Sequence, residues 1–186
     1  MGFDSQMIQG YTNRVALSAS SRRKMKNSMQ KITPCLWFDG QAEQAAEFYV
    51  SLLPDSRIDR IFRSPADTPS GPAGSVLTVE FTLAGNGYLG LNGGPQFSFN
   101  EAVSFQIHCE DQKEVDRLWT LLTEGGTEIE CGWLKDRWGL FWQIVPTRLE
   151  ELLADPDLHR SRRAMEAMMT MTKIDIAALE KAAFGE

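Results

Sequence analysis

Histidine and cysteine are scarce in this chain, and long apolar runs are missing. Its 186 residues include two histidines, His108 and His159, and three cysteines, Cys35, Cys109 and Cys131. The cysteines form no CxxC pair and no zinc-finger spacing, which excludes a structural zinc site of that kind. An odd number of thiols without a secretion signal points to a reducing, cytoplasmic setting with free cysteines. Cys35 and Cys109 fall in strand-like runs and are expected as buried small hydrophobes. No stretch approaches the roughly 18 consecutive apolar residues of a membrane span. Basic charge is also scarce over most of the chain. Residues 1–30 carry Arg14, Arg22, Arg23, Lys24 and Lys26 against Asp4, a balance of +4. With a total of −6, the remainder carries −10. A body that acidic repels phosphate backbones, so nucleic acid is not an expected partner.

What is present is an ordinary globular composition, 42% hydrophobic and 24% charged, enough for a proper core. Residues 1–30 show neither helical nor strand period and cluster Ser and Arg from Ser18 to Ser28. They read as a disordered or dispensable extension, and the folded domain is expected over 31–186.

Within that domain Ile32 to Phe38 reads as a strand. A helix follows from about Gln41, with Ala45, Phe48, Tyr49 and Leu52 on one face, and Pro54 stops it. Arg57 to Arg63 is a looser strand, and Ser64 to Gly74 is a loop. Ser75 to Leu83 alternates cleanly, Asn86-Gly87 marks a hairpin turn, and Tyr88 to Leu91 returns. Val103 to Cys109 alternates again, placing Ser104, Gln106 and His108 on one face. Asp111 and Glu114 form a capping-box pattern for a helix that presents Val115, Leu118, Trp119 and Leu122 and ends at Gly125-Gly126. Strand pieces follow at 127–131 and 139–145. From Leu149 the chain turns helical, with Asp155-Pro156 as cap and first helical residue and a further short helix from Asp175 to Ala183.

The two amphipathic faces superpose under one shift of 70 residues, and the strand before each helix is read with the same shift. The chain therefore reads as a duplicated β-α-β-β-β unit: module one over about 31–95, module two over about 101–146, and a helical tail over 147–186. The fold class is α+β, mostly antiparallel, with helices on one face of the strands and the other face free to line a cleft.

The densest chemistry lies in CGWLKDRWGLFWQIVP, Cys131 to Pro146, where Trp133, Trp138 and Trp142 surround one amide, Gln143. Lys135-Asp136-Arg137 reads as a charged turn. A few polar groups among large rings suit a small-molecule cleft. The candidate ligand-binding residues are Phe38, Glu80, Ser104, Gln106, His108, Trp133, Trp138, Phe141 and Gln143. The alternative reading is an enzyme with Glu80 as general base beside His108, with or without a metal. Strand alternation and the repeat make Glu80 and Gln143 equivalent positions, expected to face each other across the cleft.

The segments TPCLWFDGQAEQAAEFYVSLLPDSRI, LNGGPQFSFNEAVSFQIHC and CGWLKDRWGLFWQIVP resemble the PhnB-like family. Its members are often labelled 3-demethylubiquinone-9 3-methyltransferase-like and belong to the vicinal oxygen chelate superfamily with glyoxalase I and the bleomycin-resistance proteins. The resemblance runs from Ile32 to Phe184. It implies a glyoxalase-like fold of paired modules forming a cupped sheet, commonly assembled as a homodimer, and places lyase, dioxygenase and methyltransferase activities among the alternatives. Superfamily enzymes hold a divalent metal on four strand positions, which correspond here to Pro34 (or Thr33), Glu80, Ser104 and Gln143. That set supplies no imidazole, so no transition metal is expected. No cofactor is expected either, because Asn92-Gly93-Gly94-Pro95 leads into a Phe-rich loop and not a helix N-terminus.

Overall fold

The structure, a computed structural model, describes residues 31–68 and 70–185. The extension expected over residues 1–30 lies outside the described residues. Two β-α-β-β-β modules follow one another, and a helical tail completes the chain. Module one is β1 (Cys35–Phe38), α1 (Ala42–Leu52), β2 (Arg57–Arg63), β3 (Val76–Leu83) and β4 (Asn86–Asn92). Module two is β5 (Ser104–Cys109), α2 (Gln112–Thr123), β6 (Thr127–Glu128), β7 (Trp133–Lys135) and β8 (Phe141–Pro146). The tail holds α3 (Thr147–Leu153), α4 (Leu158–Met168) and α5 (Ile176–Phe184). Each module makes its own four-stranded sheet, in the orders β1-β4-β3-β2 and β5-β8-β7-β6. Within each, the first and last strands run parallel and the others antiparallel.

Both helices form where the apolar spacing places them. Ala45, Tyr49 and Leu52 are buried on α1, and Val115, Leu118, Trp119 and Leu122 on α2. Each fully buried leucine contributes on the order of 2 kcal/mol. Asp111 caps α2 by accepting from the Glu114 backbone N–H at 2.8 Å, and the Glu114 carboxylate accepts from the Glu110 N–H at 2.9 Å. α1 is capped from afar: the buried Asn92 side chain accepts from the Ala42 N–H at 2.9 Å and donates to the Val76 carbonyl.

Several local expectations shift by a few positions. The β3–β4 hairpin pairs Leu83 with Asn86, so the turn is Ala84-Gly85, both at positive φ, and not Asn86-Gly87. Two consecutive left-handed residues match the strand twist, and they fix the register. The strand expected over 127–131 is only Thr127–Glu128, and α4 is capped by Asp157 rather than Asp155, whose carboxylate instead accepts from the Asp157 N–H. Cys109 is buried as expected, but Cys35 is exposed on the sheet face away from the helix. The strand shift is also one residue longer than the helix shift. Leu36 and Phe38 face α1 as Ile107 and Cys109 face α2, a displacement of 71, because two residues join β5 to α2 where three join β1 to α1.

The two sheets are not hydrogen-bonded to each other. They share one core through their helix-bearing faces. Five rings close a circuit there: Tyr49 meets Phe81, Phe81 stacks on Tyr88, Tyr88 meets Phe105, Phe105 meets Trp142, and Trp142 returns to Tyr49, with centroid separations of 5.1–6.4 Å. Contacts of this kind contribute about 1 kcal/mol each beyond their buried area. The faces opposite the helices are therefore turned outward, one on each sheet.

Candidate functional site

Strand pairing sorts the outward residues directly. On the first sheet they are Cys35 and Trp37 of β1, Leu89 and Leu91 of β4, Thr78, Glu80 and Thr82 of β3, and Arg60 and Phe62 of β2. On the second sheet they are Ser104, Gln106 and His108 of β5, Phe141, Gln143 and Val145 of β8, and Trp133 and Lys135 of β7. Six of the nine expected ligand-binding residues thus share one face: Ser104, Gln106, His108, Trp133, Phe141 and Gln143.

The other three stand elsewhere. Phe38 is buried against Phe99 on the side that faces α1. Trp138 lies in the β7–β8 turn, packed on Phe48 and Tyr49 with the Arg137 guanidinium over its ring. Glu80 is on the first sheet, where it accepts from Arg60 Nε at 3.1 Å and also from Arg60 Nη2.

Glu80 and Gln143 are not equivalent positions, and one chain does not bring them together. Glu80 is on the third strand of its module and Gln143 on the fourth. Leu36 pairs with Gly90 as Ile107 pairs with Ile144, so the counterpart of Gln143 is Leu89. A constant shift in sequence cannot count strands when the loops between them differ in length, and module one carries the longer β2–β3 connection.

On the second sheet the polar groups divide into two ends. Gln143 Nε2 donates to Ser104 Oγ at 2.8 Å, with Trp133 beside Gln143 and Phe141 beside Ser104 in the register. At the other end α3 reaches over: Glu150 Oε1 lies 3.4 Å from both His108 Nδ1 and Gln106 Nε2. Val145 packs into the separate core of the helical tail with Leu149, Leu152, Ile174 and Leu179, which closes that end of the face. Glu150 has no signal in a strand pattern, because it enters the site from a helix.

A second missed residue is Asp136. It does not sit in a solvated turn as the Lys135-Asp136-Arg137 run suggests; it is 2% exposed. One carboxylate oxygen accepts from Trp138 N at 2.9 Å and Leu140 N at 3.0 Å, and the other from Tyr49 Oη at 2.7 Å and Trp142 Nε1 at 2.9 Å. Burial pushes its carboxyl above the ordinary carboxylate range, while the four donors pull the other way. Tyr49 is pushed well above the usual tyrosine value by burial and then by the neighbouring Asp136 charge. The pair ties α1 of module one to the β7–β8 turn of module two. The local signal is Asp at the first position of a turn with Gly139 at the fourth.

The four positions that the family resemblance points to are divided between the two modules. Pro34 has no donor side chain, Ser104 and Gln143 are occupied with each other, and Glu80 is on another sheet from both. Among the described residues no group of three His, Cys, Asp or Glu side chains is placed to hold an ion. The Asn92-Gly93-Gly94 segment has a packing role: a methyl at Gly93 would overlap the Trp37 ring, and Trp37 Nε1 donates to the Gly94 carbonyl at 2.8 Å.

Comparison with known proteins places this arrangement. The family model described as 3-demethylubiquinone-9 3-methyltransferase matches residues 30–145. A PhnB protein from Bacillus cereus, described with the same methyltransferase name, is 33% identical with a TM-score of 0.58, over 63% of this chain and 99% of that one. The protein PA1353 from Pseudomonas aeruginosa is 18% identical with a TM-score of 0.52, over 62% of this chain and 96% of that one, and shares the fold. No curated protein matches the sequence.

Proposed function

Because the chain belongs to the 3-demethylubiquinone-9 3-methyltransferase family, as a PhnB-like member of the glyoxalase superfamily, we propose that it binds a small molecule on the outward face of its second sheet. The observation that carries this reading is the Gln143–Ser104 hydrogen bond, with Trp133 beside Gln143 and Phe141 beside Ser104. It is a fixed polar pair in an aromatic setting, the composition that orients small ligands. We further propose that binding at the Ser104–Gln143 end uses no transition metal, since the donors there are a hydroxyl and an amide, which suit first-row divalent ions poorly, while His108 at the other end lies against Glu150.

The only glycine pair after a strand in module one is engaged by Trp37 and leads into no helix. No helix among the described residues is long and apolar enough to cross a membrane.

A fragment screen read by amide and indole N–H spectra tests the proposal. Hits are expected to move the Gln143 side-chain amide, Ser104 and the Trp133 indole first, and Gln143→Leu should abolish those shifts without unfolding the protein. Hits that move Trp37 and Leu89 on the first sheet, and leave Gln143 still, would refute it.

A further inference from the structure

Resting on that reading, we infer that the second-sheet face selects an anion: its ligand carries a carboxylate or similar oxyanion attached to an apolar or aromatic body. Three donors on this face have no acceptor among the described residues. Lys135 is half-buried on β7 with neither ion pair nor hydrogen bond. The Trp133 indole N–H, two residues away on the same face, is likewise unclaimed. Ser104 Oγ accepts from Gln143, which leaves its own proton free to donate.

Of the other four tryptophans, Trp138 in the β7–β8 turn also has an indole N–H unclaimed among the described residues, and the remaining three are engaged. Trp37, Trp119 and Trp142 give their N–H groups to the Gly94 carbonyl, to Glu128 and to Asp136 respectively. Side chains two apart on a strand stand about 7 Å from each other, so Lys135 and Trp133 can reach one small group, while Ser104 stands two strand spacings, roughly 10 Å, from Lys135 on the far side of β8. The register places Phe141 between Lys135 and Ser104.

Among the described residues, none of the strand positions on this part of the face is an acid. Glu150, the acid that does approach it, is held at the His108 end. That end is four residues from Ser104, roughly 13 Å along the strand. A surplus of donors, one of them cationic, with no anion to receive them, is complementary to an oxyanion and opposed to an amine. The bulk of the ligand then rests on the Trp133 ring, since Phe141 is itself buried.

Three probes of one shape decide the matter: phenylacetate, 2-phenylethanol and phenethylamine, titrated into the full chain. The readouts are the Trp133 indole signal, assigned by its loss in Trp133→Phe, and the Gln143 side-chain amide. Phenylacetate is expected to bind most tightly and to weaken with added salt. Lys135→Met should lower its affinity about tenfold and leave 2-phenylethanol unchanged. If phenethylamine or 2-phenylethanol binds these signals as tightly as phenylacetate, or Lys135→Met leaves phenylacetate unaffected, the anion assignment is wrong and the binding face stands. If none of the three moves either signal, the binding face falls with it.

Discussion

Asp136→Asn is expected to destabilise the protein by about 3 kcal/mol, the cost of facing buried donors with another donor. The melting temperature should drop by roughly 2–4 °C per kcal/mol for a chain of this size. An amide keeps one acceptor oxygen. If it serves Trp138 N and Leu140 N, the new NH2 points at Trp142 Nε1; if it serves Trp142 and Tyr49, the NH2 points at two backbone N–H groups. Tyr49→Phe removes one donor and leaves the other three satisfied, so it should cost only about 1 kcal/mol.

The sign of the pH dependence follows from the raised carboxyl. The folded protein holds the Asp136 proton more firmly than the unfolded chain. This group's contribution is therefore full below the ordinary carboxylate value of about 4 and is lost as the pH rises through the folded value. The stability difference between wild type and Asp136→Asn should narrow across that window. Chemical denaturation of both proteins at several pH values measures it; equal stability of the two throughout would remove Asp136 from its structural role.

Gly126→Ala carries an effect as large, for a different reason. A methyl there would overlap the Lys135 carbonyl oxygen and lie 3.1 Å from both the Asp136 Cα and the Leu122 carbonyl oxygen. The obstacle is backbone and cannot rotate away, so β7 must move, at an expected cost of about 3 kcal/mol or more. The same peptide carries Lys135, and Trp133 is two residues before it. Loss of stability should thus come with weakened binding on the second-sheet face. A Gly126→Ala protein that melts with wild type would show that α2 and β7 do not approach as closely as described.

The repeating elements were legible in the sequence because burial there follows local period. Both helix faces, the alternation of β3 and β5, and the sharing of one face by Ser104, Gln106 and His108 needed only neighbours two to four residues away. What was not legible depends on distant partners. Asp136 reads as a solvated charge because its acceptor role rests on Tyr49, 87 residues earlier. Glu80 reads as a partner for Gln143 because a constant shift cannot reveal that one is on a third strand and the other on a fourth. Phe38 and Trp138 read as cleft rings because aromatic type alone does not say which side of a sheet a ring takes. Glu150 and Lys135 were missed for opposite reasons: one arrives from a helix, and the other is hidden in a charged run.

The central claim is that one chain packs its two modules through their helix-bearing faces and so turns the Ser104–Gln143 face outward. Ring-to-ring nuclear Overhauser effects test it most directly, measured in labelled protein refolded with a large excess of unlabelled chain so that every contact is intramolecular. Tyr88–Phe105 and Tyr49–Trp142 cross-peaks should both persist under that dilution. Their absence, or contacts of Glu80 with Gln143 in their place, would contradict the account.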